Sequence, residues 1–416
     1  MNASIAIWGI TALSIAGVIL RPFQLPEVIW AVTGAGLLVI LHLVTPHTAL
    51  LGIAEGIDVY LFLTGMMLLA EIARREGLFD WLAGHVAIAA RGSGSRLFAL
   101  LYVAGIGVTV ILSNDATAVV LTPAVVAATR AAKVQHPLPY LLICAFIANA
   151  ASFVLPISNP ANLVIYGKSM PPLLDWLRSF LPASLIAIAT TYGLLFLSQH
   201  KQIRQPVVST ITVPRLNGGG IAAAAGIGAT VVVLIISSAM GWQLGLPTAI
   251  AGVVTVTLVL LQQRTSPFPL LRGISWGVLP LVAGLFVLVE ALAQTGVIDL
   301  LATLLQQQAN VALGKASFAA GSLIGFGSNL VNNLPAGLLA ARAIDQAPLS
   351  PLMTRSLLVG VDLGPNLSVT GSLATILWLV ALRREGIKVG TWDFLKLGFI
   401  VMPLPLFLAL LATLVS

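Results

Sequence analysis

Apolar runs of roughly 17–25 residues recur from one end of this sequence to the other, each long enough to cross a hydrocarbon core of about 30 Å. Inside such a core no water reaches backbone N–H and C=O groups. Each run must therefore satisfy its own ladder, and the α-helix is how a single segment does so. Composition points the same way: of 416 residues 58% are hydrophobic and 8% charged, against about 25% charged in a soluble domain. The 38 glycines and 23 prolines fit, since neighbouring helices re-satisfy the backbone groups they free. The expectation is an all-α polytopic membrane protein. Residues 4–20 have no Lys or Arg before them and Arg21 after them. A cleavable leader has a basic start, so this run reads as a retained span. A single cysteine, Cys144, excludes an intrachain disulfide and a multi-Cys metal cage. No G-x-x-x-x-G-K-[ST] stretch supplies a P-loop.

The chain also repeats itself, which decides its organisation. At an offset of 219, Gly65 falls on Gly284, Glu71 on Glu290, Gly77 on Gly296, Asp80 on Asp299 and Asn114 on Asn333. At an offset of 213, Asn149 falls on Asp362, Ser158 on Gly371 and Asn159 on Ser372. The first copy takes residues 1–198, with scaffold spans in 1–76, a hairpin and a broken helix in 96–168, and a last span in 175–198. A polar linker, 199–220, leads to the second copy, 221–416, with scaffold spans in 221–295, a hairpin and a broken helix in 315–383, and a last span in 392–416. Amphipathic pieces at 77–96 and 297–314 complete the pattern. Each copy crosses five times, so the two insert upside-down. The whole then has about ten transmembrane helices, two of them broken, with two re-entrant hairpins and two interfacial helices.

Charge supports one orientation. With both termini extracytoplasmic, 16 of the 21 Lys and Arg residues fall inside, leaving Lys168, Arg178, Lys315, Arg342 and Arg355 outside. That is the asymmetry of the positive-inside rule. The net charge of +7 then serves as an anchor beside anionic lipid, not as a nucleic-acid footprint.

Four polar stretches interrupt the apolar sequence at membrane depth: Ser113-Asn114-Asp115, 156–162, 328–335, and Asp362 to Ser372. Broken backbone is tolerated there only where protein buries it or it lines an aqueous cavity. Matched interruptions in two halves point to a transporter's substrate site; isolated Asn and Ser residues would merely glue helices at about 0.6 kcal/mol each. Two carboxylates, Asp115 and Asp362, lie in breaks that contain no Lys or Arg. An unpaired carboxylate at that depth costs several kcal/mol unless it is protonated, so both are candidate proton carriers, with a structural cap as the alternative. Glu71 precedes Arg74 and Arg75 at helical spacing, which predicts a surface ion pair; Glu290 has no such neighbour. Trp8, Trp30, Trp176, Trp276 and Trp392 fall near span ends, as in an aromatic belt. His42 and His47 read as solvated interface residues.

The stretches VDLGPNLSVTGSLATILWLVALRREGIKV (361–389), VNNLPAG (331–337) and SNDATAVVLTP (113–123) resemble the arsenical pump membrane proteins, the arsenite efflux permeases of the ion transporter superfamily. The resemblance implies export of As(OH)₃ and Sb(OH)₃ across the cytoplasmic membrane in exchange for protons, sometimes with a separate ATPase subunit, and no cofactor. It also implies the site: Asn114, Asp115 and Thr117 at one hairpin tip and Asn332 and Asn333 at the other. One unwound loop would contribute Ser158, Asn159 and Asn162, and the other Asp362, Asn366, Thr370 and Ser372. A neutral trihydroxide needs no counter-charge, which suits breaks without Lys or Arg. A sodium–proton antiporter or dicarboxylate transporter of the same superfamily is the alternative, and a passive channel is the alternative of a different class. No catalytic constellation reads as a membrane-embedded enzyme.

Overall fold

The structure, a computed structural model, describes residues 3–208, 215–347 and 349–415. Its helices are α1 (Ala3–Leu20), α2 (Glu27–Ile40), α3 (Pro46–Glu55), α4 (Ile57–Arg75), α5 (Leu78–Ala89) and α6 (Gly94–Leu112). A return limb follows as α7 (Asn114–Ala116), a π-helical turn at Thr117–Leu121 and α8 (Thr122–Ala131). Then come α9 (Leu138–Ala150), α10 (Pro160–Tyr166) and α11 (Leu173–Ile203). The rest of the chain forms α12 (Gly218–Ala239), α13 (Gly245–Gln263), α14 (Phe268–Gly273), α15 (Val278–Ala293), α16 (Val297–Val331), α17 (Asn333–Gln346), α18 (Pro351–Leu363), α19 (Leu373–Arg384), α20 (Thr391–Val401) and α21 (Pro403–Thr413).

Among the described residues six helices are long and apolar enough to cross a membrane, or up to eight if each of two bent pairs, α3–α4 and α15–α16, is one span. The expectation of about ten counts pieces that fall short alone. The 14 residues of α2 reach only about 21 Å, and α9–α10 and α18–α19 are halves separated by irregular backbone. Conversely α6, expected to dip in and return, is by itself long enough to cross.

Packing sorts the helices into two groups. In the first, α4 lies on α13, α2 on α15, and α12 beside α13. In the second, α16 packs on α18 and α17, α6 on α9, α10 on α17, and α11 on α21. Lipid offers helices no hydrophobic reason to associate, so close contact of small residues does the work. A Cβ on Gly65 would strike the Thr248 backbone, one on Gly252 the Gly65 backbone, and one on Gly284 the Ala31 backbone. Helix α9 is apolar all round and buried from Pro139 to Ala150, as a helix inside a bundle should be.

Several details differ from expectation. Helix α11 runs on to Ile203, into the expected linker. Gly218, Gly219 and Gly220 form the first turn of α12, capped by the Asn217 side chain, which accepts from the Gly220 N–H. Residues 209–214 of that linker lie outside the described residues, as do Met1, Asn2 and Ser416 at the ends of the two expected copies. Its described part runs along the loop before α6, where the Val207 N–H donates to Gly92 O. The amphipathic piece 297–314 continues into the next limb as one helix, kinked at Ala312. In the first half Arg91 and Gly92, both at positive φ, separate α5 from α6. Trp176 is not a belt residue: it is fully buried and its Nε1 donates to Phe153 O. Trp8, Trp276 and Trp392 are exposed.

Candidate functional site

Two chain reversals meet between the helix groups. Helix α6 ends at Ser113, with φ 123°, and α16 ends at Asn332, with φ 75°. Both are non-glycine residues in the region that favours glycine, a strain of about 1–3 kcal/mol that functional sites tend to hold. The second tip is stitched down: Asn332 Nδ2 donates to Thr370 O at 3.1 Å, and the Asn333 N–H to Gly371 O at 2.8 Å. The first tip is followed by a π-helical turn, also a common mark of functional sites.

Three narrow clefts of about 20, 60 and 10 Å³ lie between the groups, room for a water or a few. Asn114, Asp115, Asn159 and Asn333 line the first from the second group, facing Leu63, Val278 and Val282 from the first. Asp115 also lines the second cleft, with Met66, Glu71 and Ser275. Asn332 lines the third with Glu27. In the first cleft one wall is thus polar and the other apolar. Among the described residues the charged side chains on the three linings are acidic: Asp115, Glu71 and Glu27. Asp115 is half-buried, and no hydrogen bond to its carboxylate is found among the described residues.

The other expected site residues are engaged elsewhere. Ser158 Oγ donates to Val110 O at 3.1 Å, and Asn162 Nδ2 to Ser152 O at 2.9 Å. Asn366 Nδ2 donates to Phe146 O at 3.0 Å, and its Oδ1 accepts from Asn149 Nδ2. Thr370 Oγ1 donates to Asn329 O, Ser372 Oγ caps α19 by accepting from the Thr375 N–H, and Thr117 meets Thr109 at 2.8 Å. None of the six lines a cleft. They hold the broken segments in shape. Asp362 is fully buried; Ser152 Oγ lies 2.7 Å from its Oδ2 and Asn159 Nδ2 donates to its Oδ1 at 2.8 Å. Asn159 therefore touches both the cleft and the buried acid. Ser152 escaped the sequence reading; its only signal was its place at the end of α9, three residues after Asn149.

Glu71 pairs with Arg74 through both oxygens, at 2.5 and 2.8 Å. Glu71 itself is buried, 7% exposed, while the Arg74 side chain is about half exposed, so the expected surface pair is anchored on a buried carboxylate. A Cβ on Gly273 would strike its carboxylate. Glu290, without a local partner, finds a distant one: Arg342 of α17 bonds both Glu290 of α15 and Glu55 of α3. This cluster ties the two helix groups together at one end. Arg342→Gln is expected to cost about 1–2 kcal/mol, because two carboxylates lose their cation. Thermal unfolding in detergent measures it, and a midpoint equal to wild type would deny the cluster a structural role. No group of three or more His, Cys, Asp or Glu residues suited to a metal ion occurs among the described residues.

A family model described as citrate transporter (CitMHS) matches residues 12–361. The chain belongs to the citrate transporter (CitMHS) family. It is a multi-pass membrane transporter of that family. Among similar proteins, the arsenical pump membrane protein of Yersinia enterocolitica is 29% identical over 84% of both chains. The one of Escherichia coli K12 is 28% identical, again over 84% of each. The fold is similar to that of the YdaH transporter of Alcanivorax borkumensis: TM-score 0.55 and 15% identity, covering 100% of this chain and 97% of that one.

Proposed function

We propose that this protein exports trivalent metalloid hydroxides, As(OH)₃ and Sb(OH)₃, across the cytoplasmic membrane in exchange for protons. The observation that carries the reading is the lining of the clefts: among the described residues, amides, one carboxylate without a hydrogen-bond partner and no basic side chain. A citrate or other carboxylate would be repelled by Asp115 and would find no cation. A neutral trihydroxide both donates and accepts hydrogen bonds, which Asn114, Asn159 and Asn333 can reciprocate. The similarity to arsenical pump membrane proteins supports the same substrate.

In this reading the chain is two inverted repeats with both termini extracytoplasmic. Contacts support it, because ion pairs between distant segments join residues of one expected side: Arg130 with Glu385 within, Arg342 with Glu55 and Glu290 without. The polar wall binds the cargo and moves with the second helix group along the apolar wall of the first. Asp115 and Asp362 exchange protons in the cycle. Uptake of As(III) into everted vesicles with an imposed proton gradient tests it. Accumulation that collapses with a protonophore is expected; none, with or without the gradient, defeats the reading. The acidic lining also suits a cation–proton antiporter, which the same vesicles would reveal by sodium-dependent proton flux insensitive to As(III).

A further inference from the structure

The hydrogen bonds around Asp362 do not close as drawn by heavy atoms alone. Ser152 Oγ lies 2.7 Å from Asp362 Oδ2 and also 2.7 Å from Asn149 O. A serine hydroxyl has one hydrogen to donate. Both neighbours would be acceptors if Asp362 were ionised. The other side of the carboxyl is fixed independently. Asn159 Oδ1 accepts from the Ala161 N–H at 3.1 Å as the cap of α10, so its amide cannot be turned round. Its Nδ2 must therefore be the group donating to Asp362 Oδ1. Oδ1 is an acceptor, and any proton on the acid sits on Oδ2, facing Ser152.

Among the described residues the hydrogen-bond partners of the Asp362 carboxyl are Ser152 and Asn159, neither of them charged. Of the helices packed on α18, α9, α10 and α21 carry no charged residue. Those of α11 (Asp175, Arg178, His200, Lys201) and α17 (Arg342, Asp345) lie within about two turns of a helix end. Asp299 begins α16, Lys315 follows the kink at Ala312, and Arg355 is seven residues back on α18 itself.

We infer that Ser152 is a positioning residue that holds Asp362 as the neutral acid with its proton on Oδ2, in the chain Asp362 O–H to Ser152 O–H to Asn149 C=O. The inference rests on the reading that Asp362 exchanges protons during transport. Every group is then satisfied with one hydrogen per bond. When the proton passes to water, Ser152 must turn its hydrogen to Oδ2. The Asn149 carbonyl at the end of α9 then keeps only backbone donors, among them the Ser152 N–H at 3.3 Å. Loss of the proton thus loosens the junction of α9 with the irregular segment 151–159, whose last residue, Asn159, lines the cleft. The coupling runs through Ser152 and Asn159 to the substrate wall.

Infrared spectra of the purified full chain without substrate, in water and in deuterium oxide, test this. At neutral pH a protonated-carboxyl C=O band is expected that Asp362→Asn removes. In Ser152→Ala, where the acid O–H loses its acceptor, the band moves to higher frequency; Ser152→Thr, which keeps the hydroxyl, restores it. Absence of the band from wild type, or a band that Ser152→Ala leaves in place, overturns the inference. Asp362→Asn should fold, because its amide donates to Ser152 Oγ and its carbonyl accepts from Asn159. In everted vesicles it should equilibrate As(III) downhill but no longer respond to a proton gradient. If gradient-driven uptake persists in that variant while the band behaves as expected, the coupling reading fails and the assignment of the proton stands.

Discussion

Asp115→Asn is expected to lower gradient-driven As(III) uptake by roughly tenfold or more, because it removes the one ionisable group on the wall where cargo and proton would meet. The substitution is nearly isosteric. What holds the residue is its own N–H, which donates to Asn114 Oδ1 at 2.8 Å, and this bond survives. The strained tip at Ser113 is likewise unchanged. The carboxylate makes no hydrogen bond among the described residues, so no partner is orphaned, and stability should stay within about 0.5 kcal/mol of wild type. Loss of uptake with unchanged thermal unfolding would therefore report on chemistry and not on folding. Uptake at the wild-type rate with the gradient intact would remove Asp115 from the coupling scheme.

The helical class, the polar interruptions and the Glu71–Arg74 pair could be read from the chain because each depends on residue type and local spacing. Apolar runs and Pro-containing breaks announce themselves over a few residues. Which of the polar residues face the cleft could not be read, and the reason is physical. Asn162 and Asn366 have the same donors and acceptors as Asn159 and Asn333. Theirs are turned toward the backbone of Ser152, Leu155 and Phe146, and the partners lie on helices whose packing no local pattern encodes. The same holds for Glu290, whose partner Arg342 is 52 residues away. Ser152 is the sharpest case. A serine at a helix end reads as a cap, and only the approach of α18 makes it the neighbour of an acid.

In the proposed function the lining of the clefts is what selects the cargo within the family. A transporter for citrate has to balance carboxylate charge, and the polar wall here adds to it. Substrate choice in the proposed function turns on a few side chains at the breaks, while the helices that carry them are held by contacts away from the clefts.

Those contacts lead to the second large effect, at the crossing of α16 and α18. A Cβ on Gly360 would fall on the Gly321 carbonyl and on Ile324, and one on Gly364 on the Gly325 backbone. The obstacle is main chain of a packed helix, which cannot rotate aside as a side chain could. Overpacking of this kind costs about 1–3 kcal/mol, and a larger residue would separate the helices. The consequences extend to the site, since Asp362 is two residues beyond Gly360 and Asn332 ends α16. Parting the helices would draw Asp362 from Ser152 and Asn332 from the Thr370 carbonyl. Gly360→Ala is therefore expected to lower both the unfolding midpoint and uptake, and Gly360→Leu to yield no folded protein. Gly327 lies on the same helix as Gly321, and a Cβ there meets nothing within 4 Å. Gly327→Ala should be neutral or stabilising by about 0.5–1 kcal/mol, the ordinary helical preference for alanine. Thermal unfolding of the two alanine variants side by side decides the matter. Equal midpoints would mean that the crossing has slack, and that what positions Asp362 is its hydrogen bonds and not the contact of backbones.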